Sequence, residues 1–472
     1  GLSLLRQLAK GGCAARRLSW VTPGFSQSRR CKTTASAKLA CLQVDSRGSP
    51  QHDIAIVDRR IAVIAPEISP GLAREILNVN GQLAIPGLIN SHAHTAMSLF
   101  RGVAEDVPIE EWFNGYIWPL ETNLTPEDVY WGTLLGLAEM IEGGVTCVAD
   151  HYFMMDAIAS AVQESGMRAL LAWTIFSGAD EQQQISTARQ FVEQWHGAAN
   201  DRIRVWMGPH SPYTCTPSLL QRVAQTAREL GVGIHIHLSE TAAQVAQSIA
   251  TYGRSPVLVA RDAGLFDVPA LAAHVAHVSA DDIDTLATHG VAVAVTPKTE
   301  MKLGIGVAPT LSLRSAGVTV ALGSDGAASN NTYDILEAAR LLALLEKLRH
   351  HDARCMPIGT ALELATVAGS RALHWDGIGV LQVGAHADLA LVECTTAHTQ
   401  PLHNSAAALL YSAQSTDVTT VIIDGRIVMR DRVLLTIDKP RVLREVAARV
   451  ERLTRRQTER RIAVYPELTA DT

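Results

Sequence analysis

Eight short apolar runs recur between residues 87 and 325, separated by stretches of helical period, and this alternation narrows the possible folds sharply. The runs are GLINSHAH (87–94), VTCVADH (145–151), RALLAWTIF (168–176) and IRVWMGPH (203–210). VGIHIHLSE (232–240), ALAAHVAHV (270–278), VAVAVTP (291–297) and VTVALGSD (318–325) complete the set. Between them, 126–143 and 216–231 read as helices, the second with Thr216 as N-cap, Pro217 in its first turn and Gly231 at its close. Strand and helix in eight-fold alternation predict an α/β chain with a TIM-like (β/α)8 barrel over 86–376. Short strands flank it on both sides: LACLQV, DIAIVD and RIAVIA before, GAHADLALVE, VTTVIIDG and RIVMRDRVLL after, with an Asp-Gly turn at Asp424-Gly425. These predict one small β-sandwich domain built from both termini, over 37–85 and 377–440. The stretch 441–472 reads as a C-terminal helix and tail, with Arg441 to Arg461 a charged amphipathic helix expected to be a solvated surface element and not a binding one.

Charge separates the first 36 residues from the rest. They carry Arg6, Lys10, Arg16, Arg17, Arg29, Arg30 and Lys32 and no acid, so removing their +7 from the net charge of −6 leaves −13 on the remainder. Such a leader is expected to be poorly ordered and to lie outside the fold. Its composition fits a transit peptide, but a stretch read from upstream of the true start is favoured, with the protein itself cytoplasmic. An acidic body argues against nucleic acid as partner. No apolar run approaches the roughly 20 residues of a membrane span. The seven cysteines are scattered without a CxxC pair, which predicts free thiols in a reducing compartment. The partner that remains is a small-molecule substrate; a homo-oligomer is left open.

In a barrel of this kind the C-terminal ends of the strands face the pocket, and five of the eight runs end in a polar group. His92 and His94 are two apart on an extended strand, so both side chains point to one face. With His237 and Asp325 at other strand ends, they form a candidate site for a divalent metal. Three nitrogens and a carboxylate suit Zn2+, with Fe2+ and Mn2+ open. His235 lies one step deeper and is expected to pack behind the site, His151 to line the pocket and His277 to point into a turn. Glu240, three residues past His237, is positioned to move a proton from an activated water to a leaving group. His274 ends a strand as well, and Glu121 and His210 are candidates for substrate contact.

Taken together, PGLINSHAHT, GPHSPYTC, IHLSET, AAHVAH and GSDGAASNN resemble the amidohydrolase superfamily, in its aminohydrolase branch. FRGVAEDVPIEEWFNGYIWPLE (100–121) is most like the 5′-methylthioadenosine/S-adenosylhomocysteine deaminases of that branch, and the likeness runs from about 38 to 460. The resemblance implies one metal, held by His92, His94, His237 and Asp325. It implies Glu240 as proton shuttle, His274 against the hydrolytic water and Asp325 as a further proton acceptor. It also implies Glu121 on the ribose hydroxyls and His210 in the substrate pocket. The fourth strand run ends without a lysine, so no carbamylated bridge to a second metal is expected. The activity implied is hydrolytic deamination of a purine-like substrate, most like 5′-methylthioadenosine. Guanine or pterin deamination and chlorotriazine hydrolysis are alternatives on the same site.

Two departures from the family pattern matter. VTPKTEMKLGIG (295–306) carries Thr299-Glu300, a different charge expected near the pocket. The arginines that would hold a homocysteine tail have no match; LLAWTIFSGADEQQQ (170–184) offers Trp173 instead, expected to line the 5′ subsite and to make S-adenosylhomocysteine a poor substrate.

Overall fold

The computed structural model describes residues 39–45 and 52–454 except 70, 72 and 179, so the expectations placed on the basic leader and on the tail lie outside the described residues. Eight barrel strands follow the expected runs: β1 (Leu88–His94), β2 (Val145–Tyr152), β3 (Arg168–Ile175) and β4 (Ile203–Pro209). After them come β5 (Ile234–Leu238), β6 (Ala270–His274), β7 (Ala292–Val295) and β8 (Val320–Leu322). Each pairs in parallel with the next. The chain beyond β8 closes the ring: Asp325 pairs with Ala93 and Gly326 with His94, and the Ser324 N–H donates to the His92 carbonyl at 3.1 Å. Every residue of β1, β2, β5, β6 and β7 is buried, as expected for parallel strands covered on both faces, and this explains their near-continuous apolar runs.

The helices start where the sequence signals them. Thr125 and Asp128 form a reciprocal capping box ahead of Pro126–Glu142. The Thr216 hydroxyl accepts from the Leu219 N–H at 3.3 Å, and Gly231 ends the same helix with φ at +67°. Thr216→Ala should therefore cost about 1 kcal/mol. Chemical denaturation would show it as a lowered midpoint with an unchanged slope, and catalysis should be untouched. No helix among the described residues is long and apolar enough to cross a membrane.

The small domain is a pair of facing sheets. One has the order Arg60–Ala65, Asp53–Val57, Leu39–Asp45, Glu75–Asn80; the other runs Val433–Leu434, Arg426–Arg430, Val418–Ile423, Leu389–Glu393, Gln82–Pro86. Ile54, Ile56, Ile61 and Val79 of the first pack against Leu389, Leu391 and Ile422 of the second. Two strands escape the sequence pattern. Glu75–Asn80 joins parallel to Leu39–Asp45, and Gln82–Pro86 leaves the apolar run that enters the barrel to pair with Leu389–Glu393. Gly87 marks the break, since a Cβ there would meet the Thr146 side chain at 2.1 Å.

At the N-terminal end of β3, Arg168 is fully buried and joins the barrel to this domain. Its Nε lies 2.7 Å from Asp388 Oδ2 and its Nη2 2.6 Å from Asp424 Oδ1, within the Asp424-Gly425 turn. The helix Lys439–Thr454 is amphipathic and lies on the surface of the barrel. Val442, Val446 and Leu453 are buried, Arg441 and Arg449 lie over the Trp131 ring at 4.9 and 5.6 Å, and Arg452 pairs with Asp128. Its cations are spent on an acid and an aromatic of the helix 126–142, which leaves one face docked and the other wet.

Candidate active site

The strand ends bring His92, His94, His237 and Asp325 together on the barrel floor. The His94 Nδ1–H donates to the His151 carbonyl, and the His237 Nδ1–H to the His210 carbonyl at 3.0 Å. These bonds fix the tautomer and leave both Nε2 lone pairs pointing inward, 3.2 Å apart. Asp325 Oδ1 is 3.2 Å from His94 Nε2 and 3.5 Å from His92 Nε2. The His92 Nε2 is buried without a hydrogen-bond partner, and its Nδ1 is 2.9 Å from His235 Nε2, so His235 packs behind the site as expected.

The residues fit a metal. A tetrahedral ion with bonds of about 2.05 Å sets its donors roughly 3.3 Å apart, close to the separations of His94 from His237 and of Asp325 from His94 and His92. Burial and neighbouring imidazoles push His237 well below its ordinary value, so it is available as a neutral ligand. Burial likewise pushes His92 down to about 3. Burial works against a charge on His94 too, yet Asp325 and Asp150 push it up to about 9: the donor set calls for a positive charge at its centre.

Glu240 and His274 stand beside the cluster. His274 Nε2 is 3.8 Å from Glu240 Oε1, and its Nδ1 is 3.0 Å from Thr296 Oγ1. The Tyr213 hydroxyl and the Gln244 amide donate to Glu240 Oε2 at 3.2 and 3.4 Å, which turns Oε1 toward His274. The Ser329 hydroxyl donates to Asp325 Oδ2 at 2.6 Å, which leaves Oδ1 to the cluster. Four non-glycine residues at these strand ends take left-handed backbone: Ser239 at φ +50°, His274 at +69°, Val275 at +58° and Asp325 at +65°. Strain of this sort persists only where the surrounding packing holds it.

Above the floor, the cavity is walled by Met97, Trp112, Phe113, Trp118, Phe153 and Phe176, with Glu121, His151, His210 and Glu240 lower down. Trp118 meets Phe176 edge-on, 5.8 Å between centroids, and Phe176 stacks on His210 at 4.7 Å. His277 points into a turn, toward the Ile305 carbonyl. One expectation is corrected here. Trp173 does not line the cavity: its neighbour Thr174 does, hydrogen-bonded to His151 Nδ1 at 3.1 Å. Alternation along β3 then turns Trp173 outward against Phe191, at 5.4 Å. Glu300 is near the pocket, as expected, but behind its lining and not in it. It is buried and accepts from the Thr296 and Ala308 N–H groups at 3.2 and 3.1 Å, fixing the loop after β7.

Tyr213, Gln244, Ser329 and the aromatic wall Trp118 escape a reading of strand ends because they sit on loops and short helices, whereas Phe176 ends the third strand run as an apolar residue and so carries no polar signal. Gln244 is the most accessible of them, being the third residue of a helix whose N-cap is Thr241, next to Glu240.

The family described as the amidohydrolase family matches residues 83–428. A 5-methylthioadenosine/S-adenosylhomocysteine deaminase of Desulforudis audaxviator is 45% identical over 406 residues, covering 85% of this chain and 94% of that protein. A protein of the same description from Dictyoglomus thermophilum is 45% identical over 382 residues, 81% of this chain and 90% of its own. Among solved structures, an adenosine deaminase from Xanthomonas campestris with bound zinc superposes with a TM-score of 0.83 at 32% identity, over 88% of this chain and 98% of that one. An atrazine chlorohydrolase from Arthrobacter aurescens shares the fold, with a TM-score of 0.80 at 23% identity over 87% of this chain and 100% of that one.

Proposed function

Because the chain belongs to the amidohydrolase family, we propose that it is a metal-dependent hydrolytic deaminase of 5′-methylthioadenosine or a related 5′-substituted adenosine, releasing ammonia. The observation that carries this reading is the Glu240 carboxylate beside His274, 3.8 Å away, at the edge of a four-donor cluster. His92, His94, His237 and Asp325 would hold one divalent ion, for which zinc suits the donor set. Such an ion supplies Lewis acidity that lowers the pKa of water from 15.7 towards about 7.

The protein's own groups do the rest. Glu240 Oε1 takes the proton of the attacking water and hands it to the ring nitrogen beside the amine-bearing carbon, while Tyr213 and Gln244 hold Oε2 still. His274, oriented through Thr296, donates toward the oxygen that becomes negative as the ring carbon turns tetrahedral. Asp325, with Oδ2 tied to Ser329, accepts the second proton at Oδ1 and returns it to the departing ammonia. His210 contacts the purine and Glu121 the ribose hydroxyls. The free thiols of Cys147, Cys215, Cys355 and Cys394 fit a cytoplasmic protein.

The 5′ group meets Phe113, Trp118 and Phe176, and the lining carries the acids Glu110, Glu121, Glu240 and Asp325 with no lysine or arginine among its residues. A thioether methyl buried there gains about 0.8 kcal/mol, roughly fourfold in affinity. The carboxylate of a homocysteine tail finds acids instead of a cation, and kcat/KM for S-adenosylhomocysteine should fall at least about tenfold below that for 5′-methylthioadenosine. Ammonia release from adenosine, 5′-methylthioadenosine and S-adenosylhomocysteine tests both levels. Deamination of none of the three sinks the activity; S-adenosylhomocysteine as best substrate sinks the account of the tail subsite.

A further inference from the structure

We propose that Tyr152 is a positioning residue for ribose recognition, holding Glu121 as a fixed acceptor for the two hydroxyls of a ribonucleoside; the inference rests on the deaminase reading above. Tyr152 is the last residue of β2 and Glu121 ends the short helix Trp118–Glu121, so two unrelated segments meet at the cavity wall. Both side chains line the cavity, with residue exposures of only 3% and 4%. The Tyr152 hydroxyl donates to Glu121 Oε1 at 2.5 Å, and Oε2 has no partner among the described residues. The Tyr152 ring is already committed to packing, stacked on Phe153 with centroids 4.2 Å apart and 6.2 Å from the His94 ring. Among the described residues, the hydrogen bond of its O–H goes to Glu121.

A carboxyl buried this deeply tends to protonate, and burial pushes Glu121 up to about 7, with the Tyr152 donation opposing it. The distinction matters for recognition. An ionised carboxylate only accepts, and its two oxygens suit two donors from neighbouring hydroxyls; a protonated one loses an acceptor and offers a donor. Tyr152 also fixes the rotation of the carboxylate about its last bond by tying one oxygen, which leaves Oε2 and the second lone pair of Oε1 aimed into the cavity. A substrate lacking one hydroxyl then leaves a buried acceptor unpaired, and sites of that construction discriminate strongly.

The experiment compares kcat/KM for adenosine, 2′-deoxyadenosine and 3′-deoxyadenosine in the wild type, Tyr152→Phe and Glu121→Gln, all metal-loaded. The wild type should favour adenosine by at least about tenfold. Tyr152→Phe should keep its metal, its Tm and its kcat for adenosine at saturation. Its KM for adenosine should rise, and its preference over both deoxy substrates should drop at least about threefold. Adding Tyr152→Phe to Glu121→Gln should lower that preference no further. Equilibrium binding of adenosine and 2′-deoxyadenosine in a Glu240→Gln background reads the same ratio without turnover. An equal loss on all three substrates, or an unchanged binding ratio, would overturn the role given to Tyr152. Adenosine that binds with the expected ratio yet is never deaminated would instead overturn the deaminase reading.

Discussion

Glu240→Gln should retain its metal and bind nucleoside nearly as the wild type does, and should lose about 10²–10⁴-fold in kcat, the span that general acid–base groups supply. The replacement is isosteric, and the amide oxygen can still accept from Tyr213, so the loop after β5 keeps its shape. What disappears is a group able to take a proton from water and return it to a ring nitrogen. The residue is well placed for such a transfer, being three positions past His237, largely buried, and aimed by two hydrogen bonds that leave one oxygen toward His274. Single-turnover and steady-state rates, with metal content by elemental analysis, decide the matter. A variant within tenfold of wild-type kcat would transfer the proton step to His274 or Asp325.

Replacing both His92 and His94 by Ala should remove the metal altogether and take activity below detection, with the barrel still folded. The two imidazoles come from a single strand end and supply half of the four-donor cluster. His237 and Asp325 alone cannot complete a tetrahedral site. The core beneath is built from Leu88, Ile89, Val145, Val148, Ile234 and their neighbours, none of which depends on the ion. Circular dichroism should therefore change little while metal content falls from about one per chain to near zero. Two metals per wild-type chain, or an unaltered content in the variant, would overturn the ligand set.

The barrel and its floor were legible because each barrel strand is buried on both faces and so reads as an unbroken apolar run, and because function collects where those runs end. His92 and His94 share a face by simple two-residue periodicity, and that logic needs no tertiary information. The same logic failed at Trp173, where the relevant face belongs to Thr174 and the outward ring serves the packing of Phe191. That Glu300 stands behind the lining and not in it follows from its backbone amide partners, loop geometry that a linear pattern does not carry. Glu75–Asn80 alternates too weakly, with mostly exposed side chains, to stand out as a strand. Gln82–Pro86 was hidden inside a longer apolar stretch, its partner being supplied from the far end of the chain.

That last pairing has a consequence during synthesis. Strand Gln82–Pro86 waits for Leu389–Glu393, about 300 positions downstream. A ribosome adding roughly 5–20 residues per second leaves it without its partner for about 15–60 s. Throughout that interval the nascent chain holds an unpaired sheet edge, for most of it beside a barrel that still lacks its closing strand, the situation in which strands find wrong partners. Buried Arg168, whose acids Asp388 and Asp424 also arrive late, would remain uncompensated for the same time. The join between these distant segments is thus a matter of timing as much as a brace: the small domain cannot close until residues 388–424 have been made.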